Sequence, residues 1–274
     1  MDARSAEQHQ LSTPSEIKMN RLATVVTKIA LVTLALFSTV CDGRAAEIVV
    51  LCAEALESSM VELIPEFEKT RGHTVKITYA NVGAITERVR QGDAADLAIV
   101  LPRQWEALQK EAKIDPAVRV VIGKVGIGVF VKKAAARPDI GSTESFKRAL
   151  LDARAIAVRD PVARSPVGAY IIALVERLGI AAEVKPKLRL TTDRPYQAVI
   201  SGEAEFGFST MAEIVASSEV DLVGPLPKDI QNFNIFTTAI PANAKQPAAA
   251  KALIEFLTSP RTGAVFKAHG IDSN

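Results

Sequence analysis

The groups best suited to chemistry sit in five short loops, at 53–58, 81–83, 160–168, 191–194 and 209–211. They bring hydroxyls (Ser165, Ser209, Thr210), an amide (Asn81), a carboxylate (Glu54), a guanidinium (Arg194) and, just beyond one of them, the phenol of Tyr196. Ala55, Val82, Gly83 and Val167 contribute only backbone, yet backbone suffices for one kind of chemistry. Each loop ends a β-type run and opens a helical one. A helix start exposes N–H groups without intrahelical partners and carries roughly half a positive charge. Several such starts aimed at one cleft hold an anion without a lysine.

Catalytic sets are weaker by comparison. His73 follows Gly72 and His269 precedes Gly270, so both read as positive groups near helix C-termini, where the dipole favours them; His9 lies far upstream. No G-x-S-x-G elbow, C-x-x-C pair, H-E-x-x-H helix or phosphate-binding P-loop occurs. Asp160 and Asp193 could share acid–base work, but loop capping is the commoner use of such residues. The chain therefore reads as a binding protein, not an enzyme, with no metal and no cofactor.

The elements that must position these loops alternate. EIVVLC (47–52), TVKITYA (74–80), the run 96–100, GIGVFVKK (126–133), AIAVR (155–159), LRLT (188–191), EFGFS (205–209) and FNIFTTAI (233–240) read as strands. Helical patterns fill the gaps, the first capped by Ser58 or Ser59 and stopped by Gly72, another opening at Pro195. Two further helices begin at Pro247 and Pro260, the latter with Ser259 as its cap. Such alternation predicts α/β layering, with loops gathered at the carboxyl ends of the strands.

Composition agrees. The 274 residues are 48% apolar and 23% charged, enough to bury a core. A net charge of +2 without a basic stripe, and 5% aromatics, argue against a nucleic-acid partner. Met19 opens a segment with Arg21 and Lys28, a 12-residue apolar run at 29–40, and Gly43-Arg44-Ala45 before Ala46. That pattern predicts a cleaved signal peptide and a periplasmic mature chain; the run is short beside the ~20 residues a membrane span needs. A buried helix or an uncleaved anchor is the alternative, and either Met1 or Met19 is the start. Cleavage would remove Cys41 and leave Cys52 as a lone, packed thiol.

Five motifs in order then carry a likeness: VVLCAEALESSMVELIPEFEKTRG, QGDAADLAIV with Trp105 beyond it, Asp160-Pro161 with Pro166, Gly168 and Tyr170, and EFLTSPRTGAVFKAHGI. From about Glu47 to Ile271 the chain resembles the periplasmic molybdate-binding proteins of ABC transporters, a branch of the type II solute-binding proteins. The resemblance implies two α/β lobes joined by a two-strand hinge with the ligand cleft between them. We expect residues 1–45 to be an N-terminal extension and signal, 46–124 plus 229–274 one lobe and 125–228 the other, crossing near 123–125 and 225–233. It also implies a monomer that binds a small anionic solute, with molybdate or tungstate as the leading candidate, and delivers it to a membrane permease. The alternatives are a sensor or accessory protein of the same fold, or a binder of another small organic solute.

The positions matching the family's ligand contacts are Ala55, Val82, Val167, Arg194 and Thr210. The first two are usually Ser in molybdate binders, so two hydroxyls are missing. Glu54 is the other departure. It could pair with Arg159, Arg164 or Arg194, recognise a cationic part of a solute, or point to water. Substituting Thr210 or Arg194 by Ala should weaken binding with little loss of stability.

Overall fold

A computed structural model describes residues 45–273. Apart from Ala45, the expected signal segment and Cys41 lie outside the described residues. Among those described, no helix is long and apolar enough to cross a membrane.

The first lobe opens with β1 (Glu47–Ala53), a 3-10 turn (Glu54–Leu56), α1 (Glu57–Arg71), β2 (Thr74–Ala80), α2 (Val82–Gln91), β3 (Leu97–Val100) and α3 (Pro102–Lys110). The long β4 (Val120–Lys132) leads into α4 (Thr143–Asp152), β5 (Ile156–Arg159), α5 (Pro166–Arg177), α6 (Ala181–Val184) and β6 (Leu188–Thr191). Then come α7 (Tyr196–Ile200), β7 (Phe206–Thr210), α8 (Met211–Ala216), β8 (Val220–Pro225), β9 (Phe233–Ala239), α9 (Pro247–Leu257) and α10 (Pro260–Ala268).

The sheet runs β2-β1-β3-β9-β4-β7-β5-β6, with β8 on the other edge of β4. Within it, β2, β1 and β3 are parallel, as are β6, β5 and β7. Parallel neighbours need crossovers through helices. The carboxyl ends of each parallel set therefore share one side, and every βα loop opens there. Strand β3 is buried along its whole length, which explains its continuous apolar run.

Strand β4 serves both lobes, and the chain crosses back just before β9. The first half of β4 pairs with β9, Lys124 opposite Ile235 and Gly126 opposite Phe233. From Ile127 onward it pairs with β7 and β8 instead. The buried apolar residues divide accordingly. One cluster draws on Ile48 to Val125 and Phe236 to Ile271, joined by Ala212 alone from between. Two others draw on Ile127 to Ile230. The C-terminus fastens to the hinge, since Lys124 and Asp272 exchange backbone hydrogen bonds at 2.8 and 2.9 Å.

The motifs that carry the resemblance turn out to hold the frame. Asp96 is buried, and its carboxylate accepts from the backbone N–H of Val49 (2.9 Å), Lys245 (2.8 Å) and Gln246 (2.7 Å), fixing β1 against the approach to α9. Trp105 is buried and donates its indole N–H to the Val118 carbonyl at 3.1 Å. The Tyr170 hydroxyl donates to the Ile230 carbonyl at 2.7 Å, tying α5 to the segment returning to the hinge. A Cβ on Gly168 would stand 1.9 Å from the Arg159 carbonyl oxygen, so only glycine lets α5 start against the end of β5.

Several local expectations are corrected. The 3-10 turn runs straight into α1, so Leu56 occupies the N-cap, while Ser58 lies inside the helix and Ser59 is buried with no partner for its hydroxyl among the described residues. Pro195 is the N-cap of α7 and not its first helical residue. Ser259 stands at the N-cap of α10, but its side chain makes no capping bond. His73 does not cap α1; its Nδ1 accepts from Ala46 N at 3.2 Å. His269 does end α10, and its Nε2 lies 2.9 Å from Glu62.

Candidate functional site

All five loops reach one small cavity of about 40 Å³ between the lobes. Glu54 and Ala55 come from the end of β1, Asn81 and Val82 from β2, and Ser165 and Val167 from the start of α5. Arg194 follows β6, and Ser209 and Thr210 end β7. Gly83 and Tyr196, also expected here, do not line it. A Cβ on Gly83 would meet the Arg164 Cβ at 2.1 Å, so Gly83 marks where α2 touches the other lobe. Tyr196 lies behind the wall with its ring edge against Phe130, centroids 4.9 Å apart.

The helix starts prepare the cavity for negative charge. The Asn81 side chain accepts from Ala84 N at 2.9 Å and the Ser165 hydroxyl from Gly168 N at 3.1 Å. Those bonds use the N–H of the third residue of each helix, Pro166 of α5 having none of its own. The earlier ones, at Val82, Gly83 and Val167, have no intrahelical acceptor. Both side chains thus cap their helices through an oxygen, and the Ser165 O–H, the Asn81 Nδ2 and the early backbone N–H groups are the donors that remain for a ligand.

Charges dominate the rest. Arg159 Nη1 donates to Glu54 Oε2 at 2.7 Å, and Arg159 Nε to the Thr192 carbonyl at 3.3 Å. Arg194 Nη2 donates to Glu57 at 3.1 Å, with its Nε 4.0 Å from Glu54 and 3.6 Å from Glu213. Of the three partners the sequence offered Glu54, Arg159 is therefore the principal one; Arg164 faces Glu87 at 3.5 Å. Burial works against the Arg194 charge, but Glu213, Glu57 and Glu54 together raise its pKa. Each guanidinium has five N–H donors. Among the described residues, hydrogen bonds engage two atoms of Arg159 and one of Arg194.

Glu213 is the residue the sequence reading passed over. Its Oε2 accepts from the hydroxyls of Ser209 (2.8 Å) and Thr210 (2.6 Å), while Thr210 Oγ1 in turn accepts from Glu213 N at 3.3 Å. The two hydroxyls expected to face a ligand give their protons to this carboxylate instead. Burial, reinforced by Glu213, also pushes the Tyr196 phenol up from its ordinary value. Beyond the expected set, Arg159, Asn234, Phe208 and Phe236 also line the cavity, as do Ala53, Ala80, Pro166 and Pro195. Asn234 and Phe236 share one face of β9, two residues apart. Glu213 was legible as the last member of a T-x-x-E capping box; the β9 pair gave no signal beyond alternation.

Two α/β lobes, the chain crossing between them and a cavity at the carboxyl ends of both parallel sets define a type II periplasmic-binding-protein fold. The comparisons agree: a family described as bacterial extracellular solute-binding protein matches residues 48–272, and the chain belongs to it. Among curated relatives, the aconitate isomerase of a Pseudomonas species is 28% identical over 77% of this chain and 81% of its own length. The molybdate-binding protein ModA of Escherichia coli (strain K12) is also 28% identical, over 82% of this chain and 88% of its own. The periplasmic molybdate-binding protein of Azotobacter vinelandii has the same fold, with a TM-score of 0.69 at 18% identity, covering 83% of this chain and 99% of that one.

Proposed function

We propose that this chain is the extracytoplasmic solute-binding component of an ABC importer, exported by a cleaved signal, whose lobes at 46–124 plus 229–274 and 125–228 close on a small anion. The observation that carries the reading is the meeting of Arg159, Arg194 and the starts of α2, α5 and α8 at a single cavity. Guanidinium groups bind carboxylates and oxyanions in paired geometry, and the helix starts add N–H donors. Closure then gives a docked permease a shape to read. Molybdate and tungstate stay among the solutes to test, supported by the relatives named for molybdate. Dianion binding is opposed by Glu54, Glu57 and Glu213, three carboxylates against two guanidinium groups. A thermal-shift screen across oxyanions, organic acids and amino acids tests the proposal. A ligand at a hundred times its Kd stabilises by about 2.7 kcal/mol, a rise of roughly 5–10 °C for a chain of this size. Stabilisation by neutral or cationic solutes alone would contradict it.

A second reading is an isomerase acting on a small carboxylic acid. It is supported by the relative named aconitate isomerase and by Glu54 and Glu213, carboxylates beside arginines in the same cavity. A carboxylate there could move a proton on a substrate whose own carboxylate rests on Arg159. Proton NMR of cis-aconitate incubated with the protein separates the two: appearance of the trans isomer supports catalysis, and binding without turnover supports import.

A further inference from the structure

Across the cavity Glu54 of the first lobe faces Arg159 and Arg194 of the second, while the second lobe's own Glu213 is engaged by Ser209 and Thr210; on the reading of the cavity as an anion site, that pairing specifies the solute. Glu54 and Glu57 extend from the first lobe, at the 3-10 turn and the start of α1. Arg159 and Arg194 extend from the second, at the ends of β5 and β6. Glu54 lies between the two guanidinium groups, at 2.7 Å from Arg159 and 4.0 Å from Arg194. The Arg159–Glu54 pair is shielded, with side chains only 12% and 20% exposed.

An anion laid on the arginines therefore meets Glu54 as the lobes close. A fully deprotonated tetrahedral oxyanion offers that carboxylate nothing but lone pairs. The hydroxyls of Ser209 and Thr210 do not compensate, because both already donate to Glu213. A solute with a hydrogen-bond donor beside its carboxylate satisfies both lobes at once. Its carboxylate takes the spare N–H groups of Arg159 and Arg194, and its hydroxyl or ammonium group donates to Glu54.

We propose that Glu54 is a specificity-determining residue, selecting organic acids that carry a donor next to the carboxylate and rejecting deprotonated tetrahedral oxyanions. Calorimetry with matched probes tests it: malate against succinate, citrate against tricarballylate, and molybdate, on the wild-type chain and on Glu54→Ala and Glu54→Gln. In whichever pair binds, the wild-type protein should prefer the hydroxy acid at least tenfold. Glu54→Ala should abolish that preference, and both variants should bind molybdate at least tenfold more tightly than the wild type. Equal affinity within the pairs, wild-type binding of molybdate above every acid, or molybdate affinity unchanged or lowered in both variants overturns the role of Glu54 and leaves the anion site standing. Binding of no anion by any of the three proteins overturns the anion reading itself, and this inference with it.

Discussion

Thr210 shows how a side chain can be placed correctly and still do another job. It lines the cavity, yet its hydroxyl closes a reciprocal cap with Glu213 at the start of α8. Loss of an N-cap costs about 1 kcal/mol. Thr210→Ala should therefore lower urea-denaturation stability by about that much, contrary to the small loss expected from the sequence; an unchanged midpoint would mean the cap contributes nothing. Cys52 is buried, and burial holds its thiol far above its ordinary value near 9. Tyr196 is likewise held above 10. In both cases the folded chain keeps a proton that the unfolded chain releases. Their stabilisation is full below those values and is lost as pH rises, by up to about 1.4 kcal/mol per pH unit for each group. Stability should decline from about pH 9 onward and more steeply above pH 10, where burial also raises Tyr79, with Tyr196→Phe lessening that steeper slope, as followed by denaturation at stepped pH. The sequence left Glu54 open between three arginines, a cationic part of a solute and water, because the pairing spans 105 residues and depends on how two lobes meet.

At the scale of elements, most of the architecture was legible from periodicity. The strand–loop–helix units and the glycine stop of α1 appear where the pattern placed them. Strand β8 escaped notice because it is an edge partner of β4 whose residues are mostly half-buried and do not alternate. The serine cap of α1 was misplaced because a 3-10 turn can feed a helix without any side-chain cap. Asp96 has the largest structural consequence. Three backbone N–H groups converge on its buried carboxylate, and hydrogen bonds to charged groups contribute ~1.5–3 kcal/mol each. Asp96→Ala should cost about 3 kcal/mol or more in chemical denaturation; a loss below 1 kcal/mol would show that other contacts hold β1 to α9. Gly83 belongs to closure. A side chain there collides with Arg164 of the opposite lobe, so Gly83→Val should weaken solute binding at least tenfold while leaving the stability of the free protein nearly unchanged. Undiminished affinity would show that the lobes bind without this contact.

For the whole molecule, the arrangement follows from two parallel sets of strands whose carboxyl ends face a common gap, joined through β4 and β9. Nothing in composition announces the gap; it emerged from the regular recurrence of strand, small polar loop and helix. What the recurrence could not supply was the charge inside, where Glu54 of one lobe meets Arg159 and Arg194 of the other. The most direct measurement is a crystal structure of the protein with the tightest acid from the thermal-shift screen. The account predicts density for that acid between the lobes, its carboxylate on the guanidinium groups of Arg159 and Arg194. Density at another surface, with the Arg159–Glu54 pair intact, would contradict it.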